Sequence, residues 1–238
     1  MRAITRFILI TALYLTTTEK SGAQTWFEVG LKGGPATTFL LNGNLFDDVA
    51  YNHLLTPTYF VGGKIGINFG PHNGIAIHGG MTKLRQKFEN FYEVRTFDER
   101  LIEGNLIDIG MLYHRTKDAG YFEVGPRISL VRNPTRIDDN GAALDISNSF
   151  YNSYYGLDLG FGAFLIGNDQ LTLMTGFRFS YGIAQLADNA EALAPQGVIY
   201  ETDKSVHVLS AMLCLELNYS LGYLVKKSCG RRAALISF

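Results

Sequence analysis

The stretch SYYGLDLGFGAFLIG, residues 153–167, interleaves two kinds of residue. Leu157, Leu159, Phe161, Ala163 and Leu165 make one row; Gly156, Asp158, Gly160, Gly162 and Phe164 make the other. Strict period two is the mark of a β-strand, whose successive side chains point to opposite faces. An oily face against a face of glycines with one carboxylate is an unusual strand. The small face needs close neighbours and a cation for Asp158. The oily face needs hydrocarbon or a core.

The same alternation recurs and predicts eight strands, near 25–34, 58–70, 74–86, 101–114, 120–131, 153–167, 170–184 and 205–224. Three of the connections between them are tight and polar: Pro71-His72-Asn73, Arg115 to Ala119, and Gly167-Asn168-Asp169. Such segments close hairpins. The connections over 35–57, 87–100, 132–152 and 185–204 are long. Short and long alternate along the chain, as periplasmic turns and extracellular loops do in an up-and-down membrane barrel. The fold class read from this pattern is all-β: an eight-stranded antiparallel up-and-down transmembrane β-barrel. Pro126 falls on an apolar row, removes a ladder hydrogen bond and predicts a bulge.

Because a bilayer offers no partners for free N–H and C=O groups, only helices or closed barrels cross it. An eight-stranded barrel is filled by its own side chains. Its outer row must suit lipid, and its inner row must be small or internally paired. The inner row here carries Glu28, Asp108, Glu123, Asp158 and Glu216 against Lys32, Lys64, Arg127 and Arg178. Lone buried charges cost several kcal/mol each, so a near-balance predicts a zipped ionic network filling the interior. Aromatics gather near strand ends at Tyr59, Tyr113, Tyr121, Phe122, Tyr154, Tyr155, Tyr181, Tyr219 and Tyr223, the pattern of interfacial girdles.

The first residues read as a secretory signal. Arg2 and Arg6 precede an apolar stretch, Phe7 to Thr16, and Ser21-Gly22-Ala23 offers a cleavage site before Gln24. The expected organisation is a signal peptide over 1–23, cut between Ala23 and Gln24, a barrel over 24–225 and a basic tail over 226–238. The apolar stretch falls short of the ~20 residues a membrane helix needs. The 238 residues carry a net charge of −1. Removing the segment with Arg2, Arg6, Glu19 and Lys20 leaves −3, which gives nucleic acid no reason to bind. Cys214 and Cys229 are permitted to pair in an exported protein but make no framework.

Several stretches resemble a known family. NLIDIGMLYHR (105–115), YFEVGPRISLV (121–131) with Glu123, Gly125 and Pro126, LMTGFRFSYGIAQL (173–186) with Tyr181-Gly182-Ile183, and VGLKGG (29–34) are similar to strands of the PorT-like outer-membrane β-barrel domain of Gram-negative bacteria. Asp108 and Gly110 stand where that pattern has Glu and Pro, and the tail KKSCGRRAALISF follows the last strand. The resemblance implies a cell outer-membrane location, outer-membrane lipid as surroundings, and a link to protein secretion.

Catalytic residues, cofactors and metals are not expected. The serines stand in no G-x-S-x-G elbow, and the histidines His53, His72, His78, His114 and His207 are scattered. His78 is placed inside, near Lys64 and Asp108. The loops hold the functional candidates. Loop one is apolar, with Phe39, Leu40, Leu41, Leu45, Phe46, Leu54 and Leu55, and is read as covering the mouth or docking an envelope partner; the basic tail is a second docking candidate. Asp138, Asp139 and Asp145 in loop three are candidates for weak cation binding, without calcium-loop spacing.

The leading reading is a non-enzymatic outer-membrane barrel with a structural, adhesive or accessory role. A narrow channel or small-molecule uptake protein is the alternative, and a lipid-modifying barrel enzyme a further one. A soluble lipocalin-like barrel would invert the parity and turn the apolar rows inward.

Overall fold

The computed structural model describes residues 25–48, 51–90, 99–139, 141–168, 170–187, 193 and 204–223. The signal segment, the Ala23–Gln24 junction, Cys229 and the tail lie outside the described residues. All eight expected strands are present: β1 (Thr25–Leu41), β3 (Pro57–Phe69), β4 (Asn73–Asn90), β5 (Glu99–Lys117), β6 (Gly120–Asp138), β8 (Ser153–Gly167), β9 (Leu171–Gly182) and β10 (His207–Tyr223). Two short strands, β2 (Tyr51–Leu54) and β7 (Ala143–Asp145), add to the far ends of β4 and β6. A single-turn helix, α1 (Gly43–Asp47), and a 3₁₀ turn at Ser147–Ser149 complete the described elements.

Each of the eight long strands pairs antiparallel with its neighbours. β1 pairs with both β3 and β10, and the ring runs β1-β3-β4-β5-β6-β8-β9-β10 back to β1. A closed ring leaves no edge to desolvate, which is the condition for crossing a bilayer with strands. The tight turns sit where local chemistry permits the reversal. Gly70 takes φ 69 and Asp118 φ 52, left-handed conformations that glycine and short polar residues tolerate. Asn168 accepts from the backbone N–H groups of Gln170 and Leu171 at 2.9 and 2.7 Å.

The parity is settled by exposure. Leu157, Leu159 and Phe161 are 47, 41 and 45 % exposed, while Asp158 and Arg178 are 2 and 4 % exposed. The outer wall is therefore apolar and the centre charged, which excludes the lipocalin-like arrangement. Tyr59, Tyr155 and Tyr181 point outward near the long-loop rim, and Phe122 and Tyr219 near the short-turn rim. Tyr121 and Tyr154 do not belong to these girdles; both are buried inside. Tyr121 shares parity with Glu123, and Tyr154 with Asp158.

Two expectations need correction. Pro126 creates no bulge: β5 and β6 keep one register from Gly110–Arg127 to Tyr113–Val124, with two ladder positions skipped between. Gly125 absorbs the disturbance, since a side chain there would collide with the Met111 carbonyl. The register shifts lie elsewhere, at Phe27/Glu28, Glu103/Asn105 and Phe164/Ile166. The long connections also begin later than expected. β1 continues to Leu41, β4 to Asn90 and β6 to Asp138, and β5 begins at Glu99. A strand needs only 9–11 residues to span a membrane, yet β5 and β6 have 19 each and β4 has 18. Their lower ends are pinned by tight turns, so the excess projects from the opposite side.

Candidate functional site

The inner row at bilayer height forms two clusters of paired polar groups. Lys64 on β3 lies among three carboxylates, with Nζ at 2.6 Å from Glu216, 3.1 Å from Glu28 and 3.8 Å from Glu123. Arg178 on β9 pairs with Glu123 from the other side. Nearer the long loops, Arg127 on β6 holds Asp108 at 2.5 Å and Asp158 at 3.1 Å. Hydroxyls fill the remaining sites: Thr82 and Ser129 donate to Asp108 at 3.0 and 2.5 Å, and Ser180 donates to Asp158 at 2.6 Å. This answers what the Asp158 carboxylate finds opposite its glycines.

His78 extends the second cluster to β1. Its Nε2 lies 3.2 Å from Asp158 and its Nδ1 3.2 Å from Nζ of Lys32. The expected neighbours Lys64 and Asp108 are not its partners. Lys64 is opposite His78 in backbone register, but the His78 ring reaches across the lumen to β1 and β8. Room for that ring is made by Gly110, where any side chain would overlap it. All nine charged residues expected inside are there and buried: Glu28, Lys32, Lys64, Asp108, Glu123, Arg127, Asp158, Arg178 and Glu216. Cys214 is buried on the same row.

The space left over is small. Two voids in the interior measure about 20 and 10 Å³, one beside Lys32, His78 and Asp158 and one beside Glu28, Lys64 and Glu123. A water needs roughly 10–15 Å³, so each of these voids has room for about one.

Above this level the interior changes character. Leu40, Leu45, Tyr51, Leu84, Phe88, Ile102, Leu106, Val131, Phe150, Leu186 and Val208 pack into one buried apolar cluster across the mouth. Tyr154 is the seam. Its ring belongs to that cluster, the Arg127 guanidinium stacks over it at 5.5 Å, and Arg127 donates to its hydroxyl at 3.4 Å. Loop one therefore covers the mouth with Leu40 and Leu45, while Phe46 and Leu55 stay exposed. Asn42 caps α1 by accepting from the N–H groups of Asn44 and Leu45, which aims Leu45 inward.

Between its last pair with β3, Phe60–Thr82, and its first with β2, Leu54–Lys87, β4 has no ladder partner on that side. Threonine hydroxyls take that role: Thr58 donates to the Lys83 carbonyl, Thr38 pairs with both backbone groups of Arg85, and Thr56 accepts from the Lys87 N–H. On the outside of the same segment, Arg85 and Lys83 reach Glu103 at 2.6 and 3.5 Å, and Lys87 reaches Glu99 at 2.6 Å.

The loop-three carboxylates do not converge on a cation site. Asp138 is taken by Arg100 at 2.7 Å and Arg136 at 3.6 Å. Asp139 accepts from the Glu99 N–H, and Asp145 from Ser147. Arg100, missed in the sequence, is buried at the mouth and also donates to the Leu193 carbonyl. Burial lowers its pKa from the ordinary arginine value, with the Asp138 hydrogen bond opposing. His53 stacks on Phe46 at 4.4 Å and meets the Phe88 ring edge-on at 5.1 Å, and burial lowers its pKa.

No family model matches the sequence, and no curated protein matches it. Solved structures with a similar fold exist. Neisserial surface protein A is 16 % identical, with 81 % of this chain and 96 % of that one covered and a TM-score of 0.44. The outer membrane protein OprG from Pseudomonas aeruginosa is 13 % identical, with 82 and 97 % covered and a TM-score of 0.43. Ail, the attachment invasion locus protein of Yersinia pestis, solved with the heparin analogue sucrose octasulfate, is 13 % identical, with 82 and 99 % covered and a TM-score of 0.42.

Proposed function

We propose that this barrel, an integral protein of the cell outer membrane, conducts nothing through its centre and works at the cell surface in a structural, adhesive or accessory role. One observation carries the reading. The lumen is closed twice, by paired charges at bilayer height and by an apolar core at the mouth. A channel would need a wet path past Tyr154, where both closures meet. The interior acids and bases face one another rather than either compartment, so they serve packing and not catalysis. What reaches water is the upper ends of β4, β5 and β6 with α1, β2 and β7, and this is the surface offered to an envelope partner.

The finer kinship we propose is with PorT-like barrels, and a secretion-related duty with it. It is supported by the Glu123-Gly125-Pro126 and Tyr181-Gly182 motifs. Here Glu123 takes Lys64 and Arg178 together, and Gly125 permits Pro126 in the wall.

Reconstitution of the purified protein into planar bilayers tests the main claim. The expected record is leak alone at applied potentials of either sign. Steady unitary currents would overturn the reading in favour of a narrow channel.

A further inference from the structure

On one side of the barrel the outer wall changes chemistry in a single step. Met81, Ile107 and Leu130 stand side by side on β4, β5 and β6, facing outward. Two residues further along, the next outward positions on the same three strands are Lys83, Asn105 and Arg132, paired in that order. Adjacent strands lie about 4.8 Å apart, so Lys83 and Arg132 are about 10 Å apart with Asn105 between them. Two residues rise about 6.6 Å along a strand. The headgroup layer beyond the hydrocarbon is about 5–7 Å deep on each side. A row one step beyond the last apolar one therefore falls at headgroup depth.

Among the described residues its charge is not neutralised. Glu103 engages Arg85 and Lys83, which leaves Lys83, Arg85 and Arg132 against one carboxylate. Arg132 is exposed and donates to the Val131 carbonyl at 3.3 Å, and it has no acidic partner among the described residues. Elsewhere near this rim the outward residues include Tyr59, Tyr155, Tyr181 and Ile183, so the basic row marks one face.

A cleft of about 170 Å³ opens beside Arg132. It lies where β6 and β8 separate, above their first pair at Leu130–Ser153. Asn133 there takes φ 50, a left-handed conformation uncommon outside glycine and found at ligand sites. The cleft is lined by the exposed Asn133, Ser147, Tyr151 and Asn152 and by the buried Val131, Pro134 and Phe150, and its surface is mainly polar. Amide and hydroxyl groups beside an exposed tyrosine suit a sugar ring.

We propose that Lys83, Asn105 and Arg132 form a headgroup site for a phosphorylated glycolipid of the outer leaflet. Arg132 and Lys83 bind the phosphate, and the sugar bearing it enters the cleft beside Arg132. Arginine supplies the bidentate donor geometry that phosphate accepts. The proposal rests on the orientation given above, with the long ends of β4–β6 outside the cell.

The test uses the full chain in phosphatidylcholine nanodiscs containing bisphosphorylated lipid A, with retained lipid counted by native mass spectrometry. One lipid A per chain is expected. The Lys83→Ala/Arg132→Ala double variant should retain about tenfold less, the loss of ~1.4 kcal/mol of binding. Lys83→Arg/Arg132→Lys should recover most of it, and Lys117→Ala at the opposite rim should behave as the parent protein. Fully dephosphorylated lipid A should be retained about tenfold less by the parent. Equal retention by the double variant, or of the dephosphorylated lipid, overturns the site. Soluble glucosamine 1-phosphate binding as tightly as lipid A overturns the membrane source. Bilayer currents would refute the closed lumen without touching these retention ratios.

Discussion

Strand β4 lives in two solvents. Over residues 75–82 it turns Ile75, Ile77 and Met81 outward and Ala76, His78 and Thr82 inward. Over residues 83–88 the parity is unchanged, but Lys83, Arg85 and Lys87 point outward and Leu84, Gln86 and Phe88 inward. The lower half is an inside-out protein in hydrocarbon, and the upper half is an ordinary water-soluble one. The backbone does not mark the change, because the ladder to β5 runs unbroken from Asn73–Arg115 to Glu89–Glu99. What changes is which side of the sheet lies against water. The sequence switches its rows between residues 82 and 84 to match. Stability is therefore built differently in the two halves: by matched charges below and by apolar packing above.

The largest test of that difference is to remove a central cation. Lys64→Met leaves Glu28, Glu123 and Glu216 gathered without the ammonium that each touches. Breaking a buried pair from one side costs about 3–5 kcal/mol, to be read as a lower urea midpoint for unfolding from vesicles. Lys87→Met breaks an exposed pair with Glu99 and should change stability by less than about 1 kcal/mol. Equal effects would mean that the two halves are not stabilised differently.

The outer wall gives the next largest effect. Ile109→Lys puts a charge among lipid-facing residues and should cost about 2–4 kcal/mol. Arg85→Ile, two rows beyond the last apolar one, should cost less than about 1 kcal/mol. If Ile109→Lys is tolerated as well as Arg85→Ile, the apolar band has been misplaced. The upper core comes third. Leu84 is fully buried, and Leu84→Ala should cost about 2 kcal/mol, the low end for such truncations, because a mouth bounded by loops can settle inward. Amide exchange should quicken in β2 and the tops of β4 and β5 while β8 and β9 hold. Uniform quickening would show one cooperative unit in place of two.

The lower half was readable from sequence because a membrane barrel enforces a strong alternation. Eight strands, their faces and all nine interior charges follow from parity alone. The upper extensions look like loops in the sequence for a physical reason. Their rows carry opposite polarity, and Gly34-Pro35 and Asn133-Pro134 look like chain breaks, although β1 and β6 run through both. Parity also says which residues share the lumen and not which of them touch. Lys64 and His78 are neighbours along the ladder, yet His78 meets Lys32 and Asp158 because a narrow barrel lets side chains meet across its diameter. Nearness to strand ends puts Tyr121 and Tyr154 in the girdles, whereas their parity with Glu123 and Asp158 puts them inside, where they are found. The clustering of Lys83 with Arg132 depends on two strand-to-strand registers, which local sequence does not encode.

The smallest expected effect separates the halves by pH. His53 lies against Phe46 and Phe88 in the upper half, and its pKa is lowered because burial disfavours the imidazolium. Unfolding would return it to about 6.5. Between the folded value and 6.5 the unfolded chain binds more protons than the native one, so stability falls as pH falls through this window. The contribution is full above about pH 7 and is lost on acidification below 6.5. Because His53 stays partly exposed, the effect is modest and local: exchange at β2 should rise between pH 7 and pH 5 relative to β8, beyond the ordinary chemical dependence of exchange. His53→Phe keeps the stack on Phe46 and removes the titration, so the β2-to-β8 ratio should become flat with pH. A ratio that still changes on acidification in that variant would show that the pH response of the upper half does not come from His53.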